Sequence, residues 1–369
     1  MHSNSTQSLI QAGVSERLVS VLEDIAHNVE IGADFSISHP NYKPLELPVE
    51  VVARFQKLNP QMQQKYLSLQ LQNFLYGIYY NGSMRRALAL DGSGNNLPPT
   101  LENNTFLGVD VDFYEQLHKS NCGEGHFDRG WSVVKEETDS TLAVTKNNLR
   151  LHIEKLRHLQ STEHTASVGD VVAVLLPKNR VQNGFYMAVG NQGLKSRSDT
   201  KSQPPLVRIY FNLTPAGAVA VMGSLTRRLN EIAIPFSFKV LYNPKDYERY
   251  DSGVLYFEKS QYDRIKQVIT TVYKENESYF KSEVPLFTLQ LAPGLGLAEE
   301  PDQKFAVVQS FGTNRCRIVA QGLLEATEQG FSTASGRIIA ILSQFSRLNI
   351  DLKRVHLNAN STDVYTSLF

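Results

Sequence analysis

The sequence predicts an α+β fold: a mixed, largely antiparallel sheet with flanking helices, behind a helical N-terminal segment. Helical periodicity dominates residues 1–90, whereas strand-like apolar runs mix with helical segments from about residue 105 onward. No regular βαβ alternation and no glycine fingerprint between a strand and a helix are present, which argues against a doubly wound parallel sheet. We therefore expect a helical segment and connector over residues 1–104 and an α+β domain over residues 105–369.

The N-terminal segment contains amphipathic helical patterns. One apolar stripe in KYLSLQLQNFLYGIYY is expected to face a core. It consists of Leu67, Leu71, Phe74, Leu75 and Ile78. Pro60 is expected to separate this helix from the preceding one, because proline interrupts the hydrogen bonds of a helix interior. The stretch 91–104 is rich in Gly, Asn and Pro and is expected to be a connector.

Strands and helices alternate irregularly in the rest of the chain. A hairpin is expected around Asn147-Asn148, because asparagine tolerates the left-handed backbone of a tight turn. The segment GHFDRGW at 125–131 is expected to be a glycine-rich loop. Further strands are expected at GDVVAVLLP, GFYMAVG, RIYFNL, PFSFKVLY and GVLYF. Helices are expected at AGAVAVMGSLTRRLNEI, YDRIKQVITTVY, NRCRIVAQGLLEA and RIIAILSQFSRL.

Composition limits the classes of function. Lys plus Arg and Asp plus Glu number 37 each, so net charge does not indicate a nucleic acid or a membrane as partner. The longest apolar runs fall far short of the roughly 20 residues of a membrane helix, and no signal peptide is visible. Cys122 and Cys316 are too few for a disulfide scaffold and have no metal-ligand partners at close spacing. We expect a cytoplasmic protein without metal or cofactor, with secretion into a host cell left open.

Polar residues interrupt the strand-like segments of the second half of the chain. They are Arg208, Tyr210 and Asn212 in LVRIYFNL, Lys239 in PFSFKVLY, Arg249 in YERYDSGVLYF and Arg315 in SFGTNRCRIVA. A lysine in the middle of an apolar strand costs free energy to bury unless its charge is paired or suppressed. Planar guanidinium groups bind phosphate bidentately. Arginines from separate segments would therefore form a phosphate clamp beside the lysine.

Two of these residues have an ordinary structural explanation in their neighbours. Lys239 could pack its aliphatic stem along the strand and extend its ammonium group to water. Arg249 lies beside Glu248 and Asp251 in the sequence, so a structural ion pair is an alternative to phosphate binding.

The other polar residues also have structural alternatives. Arg315 follows Ser310 and other residues typical of a helix N-cap, so it could belong to an ordinary helix start or to an anion site there. Alternation puts Arg208, Tyr210 and Asn212 on one face of a strand. Three polar residues on one face are also the pattern of a solvated sheet face.

Several separated motifs occur in a fixed order over about residues 66–369. They are FYEQLHKSNCGEGHFDRGW, GDVVAVLLPKNR, GFYMAVG, VRIYFNL, PFSFKVLYNPKDYERYDSGVLYF, SFGTNRCRIVA and LNANSTDVY. In these motifs the chain resembles the Hop-A family, named for type III secretion effectors of plant-pathogenic bacteria. Members of that family also resemble phosphothreonine lyases, some of which serve pathways that make lanthionine-type or thioamidated peptides.

The lyase resemblance implies a reaction and a set of residues. A partner kinase would phosphorylate Ser or Thr of a precursor peptide, and the lyase would remove the phosphate to leave a dehydroamino acid. The lyase pattern is a catalytic lysine, a phosphate-binding arginine, a tyrosine and a late arginine. Its positions are matched in order by Lys239, Arg249, Tyr256 and Arg315.

The chain departs from this pattern in one strand. Where the pattern has basic and histidine residues, this chain has Arg208, Tyr210 and Asn212 and no histidine. We expect Tyr210 or Tyr256 to donate a proton or to stabilise the developing charge on the carbonyl, with Asn212 in the same catalytic group. Arg208 is expected to bind phosphate together with the other arginines.

Two hypotheses of different class follow. The first is a phospho-Ser/Thr lyase acting on a phosphorylated precursor peptide, with a partner kinase and without metal or cofactor. The alternative is a non-catalytic, effector-like module that binds a phosphopeptide or another partner. The missing histidine favours the module, whereas Lys239 favours the enzyme. Phosphate hydrolysis is a third interpretation, but no cysteine or metal site supports it.

Overall fold

The computed structural model of the chain describes residues 4–91, 105–106, 108–137, 139, 141–193 and 205–369. It confirms the predicted α+β class, with antiparallel sheets and flanking helices behind an N-terminal helical segment. Apart from its first residue, the connector predicted over 91–104 lies outside the described residues.

The helices are α1 (Asn4–Gln11), α2 (Glu16–Asn28), α3 (Val49–Phe55), α4 (Pro60–Leu75), α5 (Val111–Ser120), α6 (Lys155–His158), α7 (Pro215–Glu231), α8 (Tyr262–Asn276), α9 (Phe311–Glu328) and α10 (Ala334–Arg347). A π-helical turn, Tyr76–Tyr80, directly follows α4. The strands of the first half are β1 (Glu30–Ile31), β2 (Ile37–His39), β3 (Tyr42–Leu45), β4 (Thr105–Phe106), β5 (Val109–Asp110), β6 (His126–Glu136), β7 (Thr141–Lys146) and β8 (Leu149–Glu154). Those of the second half are β9 (Val171–Leu176), β10 (Asn179–Gln182), β11 (Phe185–Val189), β12 (Leu206–Phe211), β13 (Ser237–Leu241), β14 (Gly253–Glu258), β15 (Leu289–Ala292) and β16 (Leu295–Glu299).

The main sheet has seven antiparallel strands in the part of the chain that the structure describes. Their order is β10-β11-β13-β14-β12-β16-β15. One face of this sheet is apolar, because alternate residues of each strand point to the same side. Ile209, Phe211 and Leu255 lie on that face and are fully buried. They share one core with Val221 of α7 and Ile265 of α8, so these two helices cover the apolar face.

The opposite face of the main sheet carries the polar residues of its central strands. Arg208 and Tyr210 of β12 pair with Tyr256 and Val254 of β14, and Val254 also pairs with Lys239 of β13. Residues that are directly opposite in a ladder lie on the same face. The side chains of Arg208, Tyr210, Lys239 and Tyr256 therefore all lie on this polar face.

The N-terminal helices and α9 cover part of the polar face. Tyr210 belongs to a buried cluster that includes Phe74 of α4, Tyr80 of the π-helical turn and Phe311 of α9. Gly312 allows this packing, because a Cβ at that position would overlap the Tyr80 ring. The cluster joins residues from both sides of the predicted domain boundary, and the division into two domains stays a prediction.

Two turn and capping predictions are confirmed. Asn147 and Asn148 connect β7 to β8 and have positive φ angles of 50° and 62°. Pro60 begins α4, a position where its missing N–H costs nothing. The Asn59 side chain caps this helix by accepting a 2.9 Å hydrogen bond from the backbone N–H three residues later.

The N-terminal segment is mostly helical, as predicted, and it also contains the short sheet β1-β2-β3, with buried residues on alternate positions of 37–39. One local prediction is wrong. The segment 125–131 is not a loop, because β6 begins at His126. Gly130 has a φ of 88° and lies where the pairing of β6 with β9 shifts register. The glycine therefore produces an irregularity within the strand rather than a loop.

The shared core predicts that a substitution in α4 destabilises the sheet as well. Phe74 is fully buried, so Phe74→Ala should lower the free energy of unfolding by about 3–5 kcal/mol. Urea unfolding followed by circular dichroism measures this loss. Met62→Ala, on the exposed side of the same helix, is the control and should change stability by less than about 0.5 kcal/mol. An unchanged midpoint in Phe74→Ala would contradict the shared core.

Candidate functional site

The polar face of the main sheet carries alternating cations and aromatic rings. Arg208 Cζ lies 5.0 Å from the centre of the Tyr256 ring, and Lys239 Nζ lies 5.6 Å from the same centre. Lys239 Nζ also lies 4.2 Å from the centre of the Phe185 ring, and Arg249 Cζ lies 5.7 Å from it. We call these five residues the cation–ring row. Cations attract the faces of aromatic rings, so each ring separates and stabilises two positive charges.

Strand register explains why two rings flank Lys239. Phe185 on β11 pairs with Leu241, two residues after the lysine. Tyr256 on β14 pairs with Ser237, two residues before it. Both rings are therefore diagonal neighbours of Lys239 on the same face of the sheet, within reach of a long side chain.

Lys239 is the central cation of the row and is half-buried. Its ammonium group donates to the amide oxygen of Gln182 at 3.3 Å. Among the described residues, Lys239 has no carboxylate partner, in contrast to the two arginines of the row. The structure thus combines the aliphatic packing expected of a strand lysine with an ammonium group that an anion could approach.

Arg208 forms one end of the row and is almost fully buried. Its guanidinium group forms an ion pair with Glu300, which follows β16. Glu300 also pairs with Lys304, whose Nζ lies 2.6 Å from the second carboxylate oxygen. The carboxylate therefore has two cationic partners, one of them outside the row.

Arg249 forms the other end of the row and binds Asp251 through two hydrogen bonds of 2.5 and 2.9 Å. The ion pair with Asp251 that the sequence left open is confirmed. Asp251 is buried and also accepts hydrogen bonds from the Tyr76 hydroxyl and the Asn81 amide, both at 3.2 Å. Burial alone would raise the pKa of Asp251, but Arg249 and the neutral donors outweigh it and lower the pKa.

Tyr210 lies beneath the part of the sheet face that α9 covers. Its ring meets that of Tyr80 edge-on at 6.4 Å, and Tyr80 stacks on Tyr76 at 4.9 Å. The hydroxyl groups of Tyr80 and Tyr210 are buried and have no hydrogen-bond partner of normal geometry among the described residues. Burial raises the pKa of both, so both hydroxyls are protonated donors.

Two predicted site residues lie away from the row. The Asn212 amide donates to the backbone carbonyl of Glu283 at 3.0 Å, which ties the end of β12 to the loop before β15. Arg315 is 1% exposed and donates to the carbonyls of Val355 and Leu357 at 3.0 and 2.7 Å. These bonds hold the C-terminal segment. Arg315 would have to give them up to bind phosphate, so its phosphate-binding role stays a prediction.

The helix start predicted before Arg315 is confirmed. Ser310 is the N-cap of α9, and its hydroxyl accepts a hydrogen bond from the backbone N–H of Thr313 at 3.3 Å. Burial lowers the pKa of Arg315 to about 10, because its charge is removed from water without a carboxylate partner in direct contact.

Some residues of the site were not expected from the sequence. Phe185 was seen only as part of an apolar strand, and its place beside Lys239 depends on the pairing of β11 with β13. Tyr76 and Tyr80 belong to the stretch predicted as helical, and both lie in the π-helical turn. π-helical turns are frequently found at functional sites. No sequence pattern predicted this turn. No sequence pattern indicated that Glu300 would lie at the site.

The described residues hold no group of three or more His, Cys, Asp or Glu side chains that could bind a metal ion. Within the same residues, no helix is both long enough and apolar enough to cross a membrane.

The fold and the row define an α+β protein with a cationic, aromatic-lined sheet face. The model of the HopA1 effector protein family matches residues 176–357, which include the whole cation–ring row. A search of curated proteins found no match.

Two solved structures are similar to this chain. One is an effector protein from Pseudomonas syringae pv. tomato strain DC3000, with 15% identity and a TM-score of 0.38, covering 68% of this chain and 81% of that one. The other is an effector protein from Pseudomonas syringae pv. syringae strain 61, with 12% identity and a TM-score of 0.41, covering 81% of this chain and 98% of that one.

The buried pair of Asp251 and Arg249 predicts a pH-dependent stability. Asp251→Asn should lower the free energy of unfolding by about 3 kcal/mol near neutral pH, because Arg249 loses its charged partner. The folded-state pKa of Asp251 is below the unfolded value of about 3.9. Its contribution is therefore present above about pH 4 and is lost as the pH falls through the folded pKa.

Urea unfolding of wild type and Asp251→Asn at several pH values checks this prediction. The difference in stability should be constant above about pH 5 and should narrow below about pH 4. Glu248→Gln is the control, because Glu248 pairs with Arg86 at the surface and should contribute at most about 1 kcal/mol. A difference that stays constant down to about pH 3 would contradict a depressed pKa of Asp251.

Proposed function

We propose that this chain is a phospho-Ser/Thr lyase that eliminates phosphate from a phosphorylated precursor peptide. The observation that carries the proposal is the position of Lys239. Its ammonium group lies between the rings of Tyr256 and Phe185, and Arg208 and Arg249 lie beyond those rings on the same face. A phosphate beside Lys239 would therefore be approached by guanidinium groups from two sides.

The proposed reaction is a β-elimination with Lys239 as the base. The neutral amine takes the α-proton of the phosphorylated residue, because only the unprotonated form accepts a proton. The electrons of the broken Cα–H bond form the Cα=Cβ double bond, and the Cβ–O bond breaks to release phosphate. The peptide retains a dehydroamino acid. No oxidant, reductant or metal takes part in this scheme.

The two arginines of the row would neutralise the leaving phosphate. Each has a carboxylate partner now, so binding would exchange that partner for phosphate. Glu300 would retain Lys304, and Asp251 would retain Tyr76 and Asn81. Neither carboxylate would be left without a hydrogen-bond donor, which lowers the cost of the exchange.

The tyrosines and the remaining predicted residues have separate proposed roles. Tyr256 is half-buried beside Lys239 and would donate to the carbonyl on which negative charge develops. Tyr210 lies on the same face but is buried against Tyr80 and Phe311, and it would support the face rather than meet the peptide. Asn212 and Arg315 would act by holding the adjoining loop and the C-terminal segment.

The proposed reaction requires a partner kinase and a cellular compartment. A kinase would supply the phosphorylated peptide, and neither a nucleic acid nor a membrane is needed. The match to an effector family supports secretion into a host cell. The free cysteines Cys122 and Cys316 fit a reducing compartment in either cell.

A second candidate is a non-catalytic module that binds a phosphopeptide. The observation in its favour is the pairing of both row arginines with carboxylates, which is a stable arrangement without substrate. The strand β12 also carries no histidine to act as an acid. In this alternative, the row would bind phosphate reversibly and leave it on the peptide.

Phosphothreonine and phosphoserine peptides, followed by mass spectrometry, test the lyase. Wild type should convert them with loss of the elements of phosphoric acid, and Lys239→Ala should slow this at least about 100-fold, because a general base is removed. Lys239→Arg should bind the peptide but not convert it, since it retains the charge without a usable base. Lys245→Ala, at an exposed lysine outside the row, is the matched control and should be fully active.

The same experiment separates the two functions. If wild type binds the phosphopeptides without converting them, even with the kinase and its precursor peptide present, the binding module is correct and the lyase is wrong. Conversion that is unchanged in Lys239→Ala would show that the base lies elsewhere.

A further inference from the structure

A polar concavity lies between α4, α9 and α10, and no residue of the cation–ring row lines it. Its volume is about 570 Å³, within the range of small-molecule sites. Lys65 and Ser68 of α4, Arg317, Gln321 and Glu325 of α9, and Arg347 of α10 are among its lining residues. We call it the three-helix cleft. Its residues belong to neither the row nor the lyase mechanism.

The acidic side chains of the three-helix cleft already have partners. Glu325 accepts two hydrogen bonds from Arg347, at 2.7 and 2.9 Å, and further bonds from Gln344 and Gln329. Glu328 accepts a hydrogen bond from Gln64. The carboxylates are therefore largely satisfied within the protein.

Two hydrogen-bond donors that line the cleft are not satisfied. Ser68 is 4% exposed, and its hydroxyl has no hydrogen-bond partner among the described residues. The Nε of Arg317 is also buried, and the described part of the chain offers it no acceptor. Burial lowers the pKa of Arg317, and no carboxylate offsets this. Buried donors without partners cost free energy, so each requires a physical reason.

We propose that the three-helix cleft binds a small oxyanion, either a phosphate or a carboxylate, with Arg317 as its charged contact and Ser68 as a buried hydroxyl donor. Guanidinium and hydroxyl donors are the groups that bind such anions in proteins. Lys65 at the rim adds a second cation that has no ion-pair partner in the described part of the chain. The anion would supply the acceptors that Ser68 and Arg317 lack.

The charges of the cleft favour a small, free anion over a long acidic chain. Lys65, Arg317 and Arg347 face Glu325 and Glu328, so the lining has a formal charge of only +1. The two glutamates would repel an extended acidic segment, whereas one oxyanion at Arg317 avoids them. Anion binding in the three-helix cleft requires neither lyase activity nor the cation–ring row.

Isothermal titration calorimetry of the full chain with inorganic phosphate and with citrate tests the proposal and distinguishes the two anion types. At least one of them should saturate the wild-type protein. Arg317→Gln should weaken that binding about tenfold or more, and Ser68→Ala about two- to tenfold, as expected for a charged and a neutral hydrogen bond. Arg227→Gln, at an exposed arginine on α7, is the matched control and should bind as wild type does.

Two more measurements are needed. The first distinguishes binding in the cleft from binding at the row, and the second distinguishes anion binding by Arg317 from a purely structural role. Lys239→Ala should retain binding in the cleft, whereas phosphate bound at the row would be lost.

Without anion, Arg317→Gln should melt at the same temperature as wild type or higher, because it removes a half-buried charge that has no carboxylate beside it. A large loss of stability would make Arg317 a structural residue and overturn the proposal. Equal binding by Arg317→Gln and Arg227→Gln would also overturn the proposal. The absence of saturation by either anion below about 10 mM would do the same.

Discussion

The ion pair between Arg249 and the buried Asp251 joins the N-terminal helices to the sheet face that carries Lys239. Tyr76 and Asn81, which follow α4, donate to the same carboxylate. A buried carboxylate is stable only when its charge and lone pairs are matched, so these contacts must form together. They fix the Arg249 guanidinium group over the Phe185 ring. One end of the cation–ring row therefore depends on two residues that lie 175 and 170 positions before Asp251 in the chain.

The two faces of the main sheet have different roles, one in packing and one in holding the cations. The apolar face, packed on α7 and α8, provides most of the buried hydrophobic contacts of the sheet. This allows the other face to hold three cations, of which Lys239 has no carboxylate partner among the described residues. Natural proteins tolerate such incompletely compensated charges mainly at functional sites. The rings of Tyr256 and Phe185 reduce the repulsion by separating the cations.

Local sequence patterns predicted much of the fold but only part of the site. The Asn147-Asn148 turn, the start of α4 at Pro60 and the shared face of Arg208 and Tyr210 on β12 each depend on a few adjacent residues, and all appear in the structure. The pairing of β11 with β13 brings Phe185 to Lys239 and depends on long-range register, which adjacent residues do not specify. The burial of Arg315 against the C-terminal carbonyls also depends on long-range contacts, which adjacent residues do not specify.

In the proposed reaction, the cation–ring row holds a phosphorylated residue at Lys239. A crystal structure of Lys239→Arg bound to a phosphothreonine peptide is the sharpest test, because this variant retains the charge but has no usable base. Phosphate oxygens are expected within hydrogen-bond distance of Arg208 and Arg249, with the Cα–H bond of the phosphothreonine directed at position 239. A phosphate bound elsewhere, with Arg208 still on Glu300 and Arg249 still on Asp251, would contradict it.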